Sequence, residues 1–225
     1  MLEERGNISL SIDYLSGLSL PANSAILDIG TNHGSLVAEL LARGYAGALG
    51  VEPCLGALRE GLRSAPKLSS RLVASSGELL PFKDRSFEVI TCFDVLEHVR
   101  APKKMLAEVR RILKPNGMFV FQTPNLFTNV PWEVFKGRSL TAWKRYHCSL
   151  QTLWTLRSLL EGSGFSEIKI EKRSIRSQYN LIRLREHIGP AAPVMLAALE
   201  KLPLALATNF WGHARSGAAQ PYVTT

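Results

Sequence analysis

Residues 25–34 read Ala25-Ile26-Leu27-Asp28-Ile29-Gly30-Thr31-Asn32-His33-Gly34, an apolar run that stops at a glycine turn. A strand buried on both faces of a parallel sheet has that form. Residues 35–42 follow with apolar side chains at 36, 37, 40 and 41, the spacing of one helix face, and Gly44 stands just past their end. Strand, tight turn and helix open a βαβ unit, and the rest of the chain repeats the alternation.

Outward from this stretch, 48–51 reads as a second strand, 55–63 as a helix and 72–74 as a weak third strand. A strong fourth strand at 87–93 is bounded by the turn-like Lys83-Asp84-Arg85-Ser86. Residues 102–113 read as a helix with Pro102 in its first turn, closed by Lys114-Pro115-Asn116-Gly117. A fifth strand at 118–122, a helix at 150–163 ended by Gly164, a sixth strand at 165–171 and a seventh at 209–215 complete the pattern. Such alternation implies right-handed crossovers and a mostly parallel, doubly wound α/β sheet with helices on both faces. Ligands of such sheets bind beyond the carboxyl ends of the strands, near the point where strand order reverses.

At 225 residues, 46% hydrophobic and 20% charged, the chain fits a single globular domain over 1–225. The formal net charge is +8, and residues 136–185 alone hold 11 lysines and arginines against three glutamates. That stretch suits an anionic small molecule, a nucleic acid or a membrane surface, or serves as a solvated face. Cys54, Cys92 and Cys148 form no Cys-x-x-Cys or Cys/His set, so neither a disulfide framework nor a metal site is expected. The start lacks the basic and apolar regions of a signal peptide, and 191–210 is interrupted by Pro193, Glu200, Lys201 and Pro203. A cytoplasmic protein without a transmembrane segment is expected.

The turn after the first strand discriminates between cofactors. A dinucleotide loop, Gly-x-Gly-x-x-Gly counted from Gly30, requires glycines where Asn32 and Ser35 stand, which argues against an oxidoreductase. The run resembles instead the Asp-x-Gly-x-Gly-x-Gly motif of class I S-adenosylmethionine (SAM)-dependent methyltransferases, matched at Asp28, Gly30 and Gly34 with Asn32 in place of the middle glycine. Asn tolerates positive φ better than most side-bearing residues. Glu52, 22 residues beyond Gly30, closes the second strand, where a carboxylate accepts from both ribose hydroxyls.

Two further segments resemble the small-molecule methyltransferases related to the ubiquinone and menaquinone biosynthesis enzymes. One is Ser76-Gly77-Glu78-Leu79-Leu80-Pro81-Phe82 with Phe87-Glu88-Val89-Ile90; the other is Phe93-Asp94-Val95-Leu96-Glu97-His98-Val99, with the 108–117 run and Thr123-Pro124-Asn125. The resemblance covers 24–125 and extends to 159–165. It implies a Rossmann-like seven-stranded sheet with an antiparallel last strand, a lid over the acceptor at about 126–149, and a helical insertion at about 176–207. It also implies SAM held by Asp28, Gly30, Thr31, Asn32, Gly34, Glu52, Pro53, Ser76, Gly77, Glu78, Phe93 and Asp94. Ser76 replaces the acidic residue that the family uses beside the adenine.

Methyl transfer is an in-line displacement, and a hydroxyl acceptor must lose a proton. His98 is the first candidate base, since its ordinary pKa lies near neutrality, and the alternative is that Glu97 and His98 serve as helix-start contacts. His147 is the second candidate, with a surface-loop histidine as the alternative. Trp132, Phe135, Trp143 and Tyr146 either line an acceptor pocket or cover the sheet. The expected partner is a small-molecule acceptor with an oxygen or nitrogen nucleophile, anionic and sugar- or lipid-related. RNA methylation and non-catalytic SAM binding remain alternatives. Nucleic acid is not the expected partner, peripheral membrane contact stays open, and oligomeric state is not legible.

Overall fold

The computed structural model describes residues 2–137, 139–145, 147–175 and 178–217. Seven strands form one sheet in the order β3-β2-β1-β4-β5-β7-β6: β1 Ile26–Ile29, β2 Leu49–Glu52, β3 Leu72–Ala74, β4 Phe87–Phe93, β5 Leu113–Pro124, β6 Phe165–Glu171 and β7 Asn209–Ser216. β1 pairs in parallel with β2 and β4, β2 with β3, and β4 with β5. β7 is antiparallel to both β5 and β6, so the expected doubly wound sheet with an antiparallel last strand is what forms. Strand order reverses between β1 and β4, which sets a ligand crevice there.

Alternation along each strand divides the core into two faces. Leu27, Ile29, Ile90, Cys92, Phe119 and Phe121 face α4 (Pro102–Ile112) and α6 (Leu153–Gly162), which contribute Met105, Leu106, Val109, Leu156 and Leu160. Ile26, Val89, Met118 and Val120 face α1 (Leu2–Ser16) and α2 (Ser35–Ala42), which bring Ile12, Tyr14, Leu15, Val37 and Leu40. α3 (Leu55–Ser64) sits at the β2 edge with Leu58 buried. Each fully buried aliphatic side chain contributes roughly 1.5–3 kcal/mol, and these two faces carry most of the fold.

Several elements depart from their expected bounds. β5 begins at Leu113, and the expected Lys-Pro-Asn-Gly turn lies inside it as an irregularity. Pairing passes from Phe87↔Leu113 to Val89↔Met118, with Asn116 left-handed at φ 59°. α6 starts three residues late, because Gln151 bridges to Asn125 and Thr152 caps the helix in a reciprocal box with Thr155. α1 was not anticipated. The expected lid contains α5 (Leu126–Gly137) with Pro131 inside it, and the expected insertion holds α7 (Gln178–Ile188) and α8 (Ala192–Glu200).

These last three helices make a small third core. Leu184, Ala192 and Leu196 are buried, with Trp132, Ile175, Leu181 and Ile188 packed around them. Asn125, fully buried at the end of β5, ties this part to the sheet: its amide donates to the carbonyls of Ala205 and Ala207 at 2.9 and 2.8 Å, and its backbone N–H donates to Thr208. Among the described residues, no helix is long and apolar enough to cross a membrane.

Candidate active site

At the end of β1 the chain makes three left-handed turns at alternate residues: Gly30 at φ 76°, Asn32 at 52° and Gly34 at 80°. Asn32 therefore keeps the backbone shape of the glycine it replaces, at a cost that Asn bears better than other side chains. Gly30 is needed for a second reason. A Cβ there would lie 2.2 Å from Cγ2 of Val95, in the loop after β4. The loop is held down by Gly30 and Thr31 N–H groups donating to the Val51 carbonyl at 2.9 and 3.0 Å.

Glu52, at the end of β2, is oriented by backbone alone. Its Oε2 accepts from Asn32 N–H at 3.1 Å and its Oε1 from Cys54 N–H at 2.9 Å, with the exposed Pro53 between. Each oxygen retains a lone pair for a further donor, the arrangement that a ribose diol requires. Asp28 is buried and accepts from the Thr91 hydroxyl at 2.7 Å. Burial pushes its pKa up to about 6, against the Thr91 bond, with the Glu52 charge adding to the rise.

After β3, Gly77 lies against Met105 and Ile29, leaving no room for a side chain. Ser76 is half-buried and its carbonyl accepts from Leu79 N–H. The Glu78 carboxylate turns to the start of α4, accepting from Ala101 N–H at 3.0 Å. Its side chain is thus committed to holding the fold. Phe93 ends β4 and tilts against Trp211 at 5.6 Å, while Asp94 is left-handed at φ 53° with its N–H donating to Gln122. The predicted cofactor residues thus converge at the carboxyl ends of β1, β2 and β4 and in the loop after β3, around the strand-order reversal. The backbone shape, the crowding at Gly30 and the open acceptor sites on Glu52 fit SAM.

The two candidate bases, 49 residues apart in sequence, meet. His98 closes a 3-10 turn at Leu96–His98; it does not open α4 as expected, because the chain goes extended at Val99 before Pro102 starts the helix. Cys148 and Ser149 N–H groups both donate to the Glu97 carbonyl at 2.9 Å, which brings His147 beside His98 with ring centroids 5.1 Å apart. Between them stands Glu97, only 2% exposed, accepting from the Thr123 hydroxyl at 3.1 Å and lying 3.9 Å from His98 Nε2. Burial, then the charge of Asp94, pushes the Glu97 pKa up to about 8. Burial, then His98, lowers that of His147. One ligand atom from each of Glu97, His98 and His147 lies within 4.8 Å of the others. The sequence suggests for Glu97 only a helix-start contact; the signal for its burial is an acidic residue flanked by Val95, Leu96 and Val99.

Of the aromatic residues after β5, Trp132 packs on the third core and contacts His187 at 5.1 Å, while Phe135 is exposed. Tyr146 lies outside the described residues. An open groove of about 700 Å³ runs between the starts of α4 and α6, lined by Ala101, Lys103, Gln151, Trp154 and Leu159. It shares no residue with the cofactor loop.

A family model described as a methyltransferase domain matches residues 3–170. The ubiquinone biosynthesis O-methyltransferase of Methylococcus capsulatus is 30% identical over 119 residues, 52% of this chain and 50% of that protein. The chain thus spans about half the length of the curated relatives it matches. Among solved structures, a SAM-dependent methyltransferase from Mesorhizobium loti superposes with a TM-score of 0.64 at 17% identity, covering 87% of this chain and 93% of that one. A phosphoethanolamine N-methyltransferase from Haemonchus contortus, complexed with phosphomonomethylethanolamine and S-adenosylhomocysteine, gives 0.68 at 20%, covering 94% and 53%.

Proposed function

The chain belongs to the methyltransferase-domain family, the class I SAM-dependent methyltransferases, and on that premise we propose that it methylates a hydroxyl group of a small-molecule acceptor. The observation that carries this reading is the meeting of Glu97, His98 and His147 on the β4 side of the cofactor crevice. An amine acceptor that is already a free base needs no such group; a hydroxyl does.

SAM supplies an electrophilic methyl on a positively charged sulfur. The protein's own residues do the rest. Glu52 and the 30–34 turn would hold the nucleoside end of SAM. Asp94, exposed at that rim, and the Glu97–His98–His147 group face the acceptor. Bound there, SAM would supply its methyl carbon to the acceptor oxygen and leave as S-adenosylhomocysteine, and the histidine group would take the hydroxyl proton. Holding the two reactants in line contributes several kcal/mol, up to about 7–11 at the limit. The proton acceptor adds on the order of 10²–10⁴-fold. The basic 136–185 stretch supports an anionic acceptor.

Calorimetric titration with SAM and S-adenosylhomocysteine tests the cofactor half. Micromolar binding that Glu52→Ala weakens by at least about tenfold is expected, from two lost charge-assisted bonds of about 1.5–3 kcal/mol each. A folded protein that binds neither ligand removes the enzymatic reading. Turnover of hydroxyl acceptors that His98→Ala and His147→Ala leave unchanged removes the role of the histidine group.

A further inference from the structure

We propose that α8 docks this chain onto an anionic lipid bilayer, its exposed apolar stripe entering the headgroup boundary and the lysines at its C-terminal end meeting the lipid charge. The docking is independent of the methyltransferase reading, and α8 lies beyond residue 170, where the family match ends.

Composition makes the stripe. Residues 187–199 contain no Asp, Glu, Lys or Arg. Within them, α8 rests on the third core through Ala192 and Leu196, both buried. Ala191 at its N-cap, Val194, Met195 and Ala198 follow the spacing i, i+3, i+4 and i+7 and so share another face. All four are exposed, Val194 to 73% and Met195 to 37%. The outward side of a surface helix is ordinarily polar; here water meets hydrocarbon and a thioether. The chain that leaves the helix keeps this character, with Pro203 and Leu206 exposed as well. Apolar side chains gathered in this way mark a surface that something covers.

Charge identifies the occupant. Lys201 is exposed directly after α8, and Lys172 reaches the same end of the helix, where its Nζ donates to the carbonyls of Glu200 and Leu202 at 2.8 and 2.7 Å. Carbonyls accept those bonds and leave the positive charge in place. The Glu200 carboxylate is engaged by the Ile175 N–H at 3.1 Å. A second copy of the chain would bring the same lysines, and the same net charge of +8, against each other. A folded partner would find no hydrogen-bonding side chain on the stripe, whereas a protein interface carries about ten direct hydrogen bonds. A bilayer requires neither: it takes apolar side chains about 5–10 Å below the headgroups and keeps lysines at the charged boundary.

The core beneath the helix is what makes so short a segment effective. A free peptide of nine residues is not a stable helix in water. Held by Ala192 and Leu196, α8 meets the bilayer already folded, and the ordering cost that opposes binding of a free segment is absent.

The test is co-sedimentation of the full chain with vesicles of phosphatidylcholine alone and of equal parts phosphatidylcholine and phosphatidylglycerol. Binding to the mixed vesicles is expected, at least about tenfold stronger than to the neutral ones and weakening as salt is raised. Val194→Asp/Met195→Asp should reduce it by at least about tenfold, because two carboxylates then face anionic headgroups. Lys201→Ala should reduce it about fivefold. Both positions of the double variant are exposed, so its thermal midpoint should match that of the parent, which separates lost docking from lost fold. If it does not, Val194→Ser/Met195→Ser removes the apolar surface without adding charge and should weaken binding in the same direction. No binding to the mixed vesicles, equal binding to both compositions, or binding that survives the double variant overturns the proposal. So does a stable dimer, formed without lipid, that the double variant dissociates, since that assigns the stripe to a second copy of the chain.

Discussion

The part of the molecule that carries the cofactor loop and the part that follows β5 are built on different plans. From β1 to the loop after β4, each functional position is set by backbone: left-handed residues at 30, 32 and 34, and carbonyl and amide groups that hold Thr31 and Glu52. Beyond β5, α5, α7 and α8 pack into a separate small core, reached through Asn125. The family model also stops at residue 170, before α7 and α8 begin.

Gly30→Ala should produce the largest effect. The new Cβ is driven into Val95 at a left-handed backbone position, so a loss of roughly 3 kcal/mol or more in urea unfolding is expected, with SAM binding undetectable. Adding Val95→Ala to it should recover part of the stability, since it removes the atom that is struck. A Gly30→Ala protein with unaltered stability and SAM affinity would show that the loop is not held as rigidly as the comparison requires.

Next in size is a pH effect at Asp28. Burial raises its pKa to about 6 in the fold, above about 3.9 in the unfolded chain. The unfolded state therefore ionises first. The stability tied to this group is present below pH 4 and is lost as pH rises through 6. Between pH 5 and 7 the unfolding free energy should fall by on the order of 1 kcal/mol from this residue. Asp28→Asn should remove that part of the slope while keeping an acceptor for Thr91; the raised Glu97 carboxyl contributes a larger part of the same sign, which the variant leaves in place. Denaturation midpoints across that range decide it, and an unchanged slope in the variant removes Asp28 as its source.

A smaller effect belongs to Asn32. Asn32→Ala should cost up to about 1 kcal/mol of stability and several-fold in SAM affinity, whereas Asn32→Gly should match or slightly exceed the present protein, because the position needs the left-handed shape alone. Smallest of all, Trp154→Ala in the groove beside α6 should shift stability by no more than about 0.5 kcal/mol and leave SAM affinity unchanged. If acceptor KM responds to Trp154→Ala, the division into two plans sharpens; if SAM affinity responds, it fails.

How much of this was legible follows the same division. β3, β4 and β6 match their expected bounds: β4 is an apolar run bracketed by turn residues, and β6 starts directly after Gly164. Asn32 was legible as a glycine substitute, and its φ of 52° is the physical reason. α1 was not, because Asn7, Ser9, Ser11 and Asp13 alternate with its apolar residues and blur the helical spacing that Ile8, Ile12 and Leu15 carry into the core. α5 was hidden by Pro131 and by Thr128 and Asn129, which weaken helix propensity. The meeting of His98 with His147 could not be read at all. It depends on backbone bonds from 148 and 149 to the Glu97 carbonyl, which any two non-proline residues could donate.

That Asn125 grips carbonyls has a consequence for how such a protein diversifies. Carbonyls belong to every residue, so the clamp does not inspect what lies between the end of β6 and residue 205. A longer, shorter or differently shaped helical pair can be exchanged there as a cassette, seated by the same amide, while the sheet and its nucleoside crevice continue unaltered. Recognition of new acceptors can then arise by replacing one removable part, with no rebuilding of the catalytic floor beneath it.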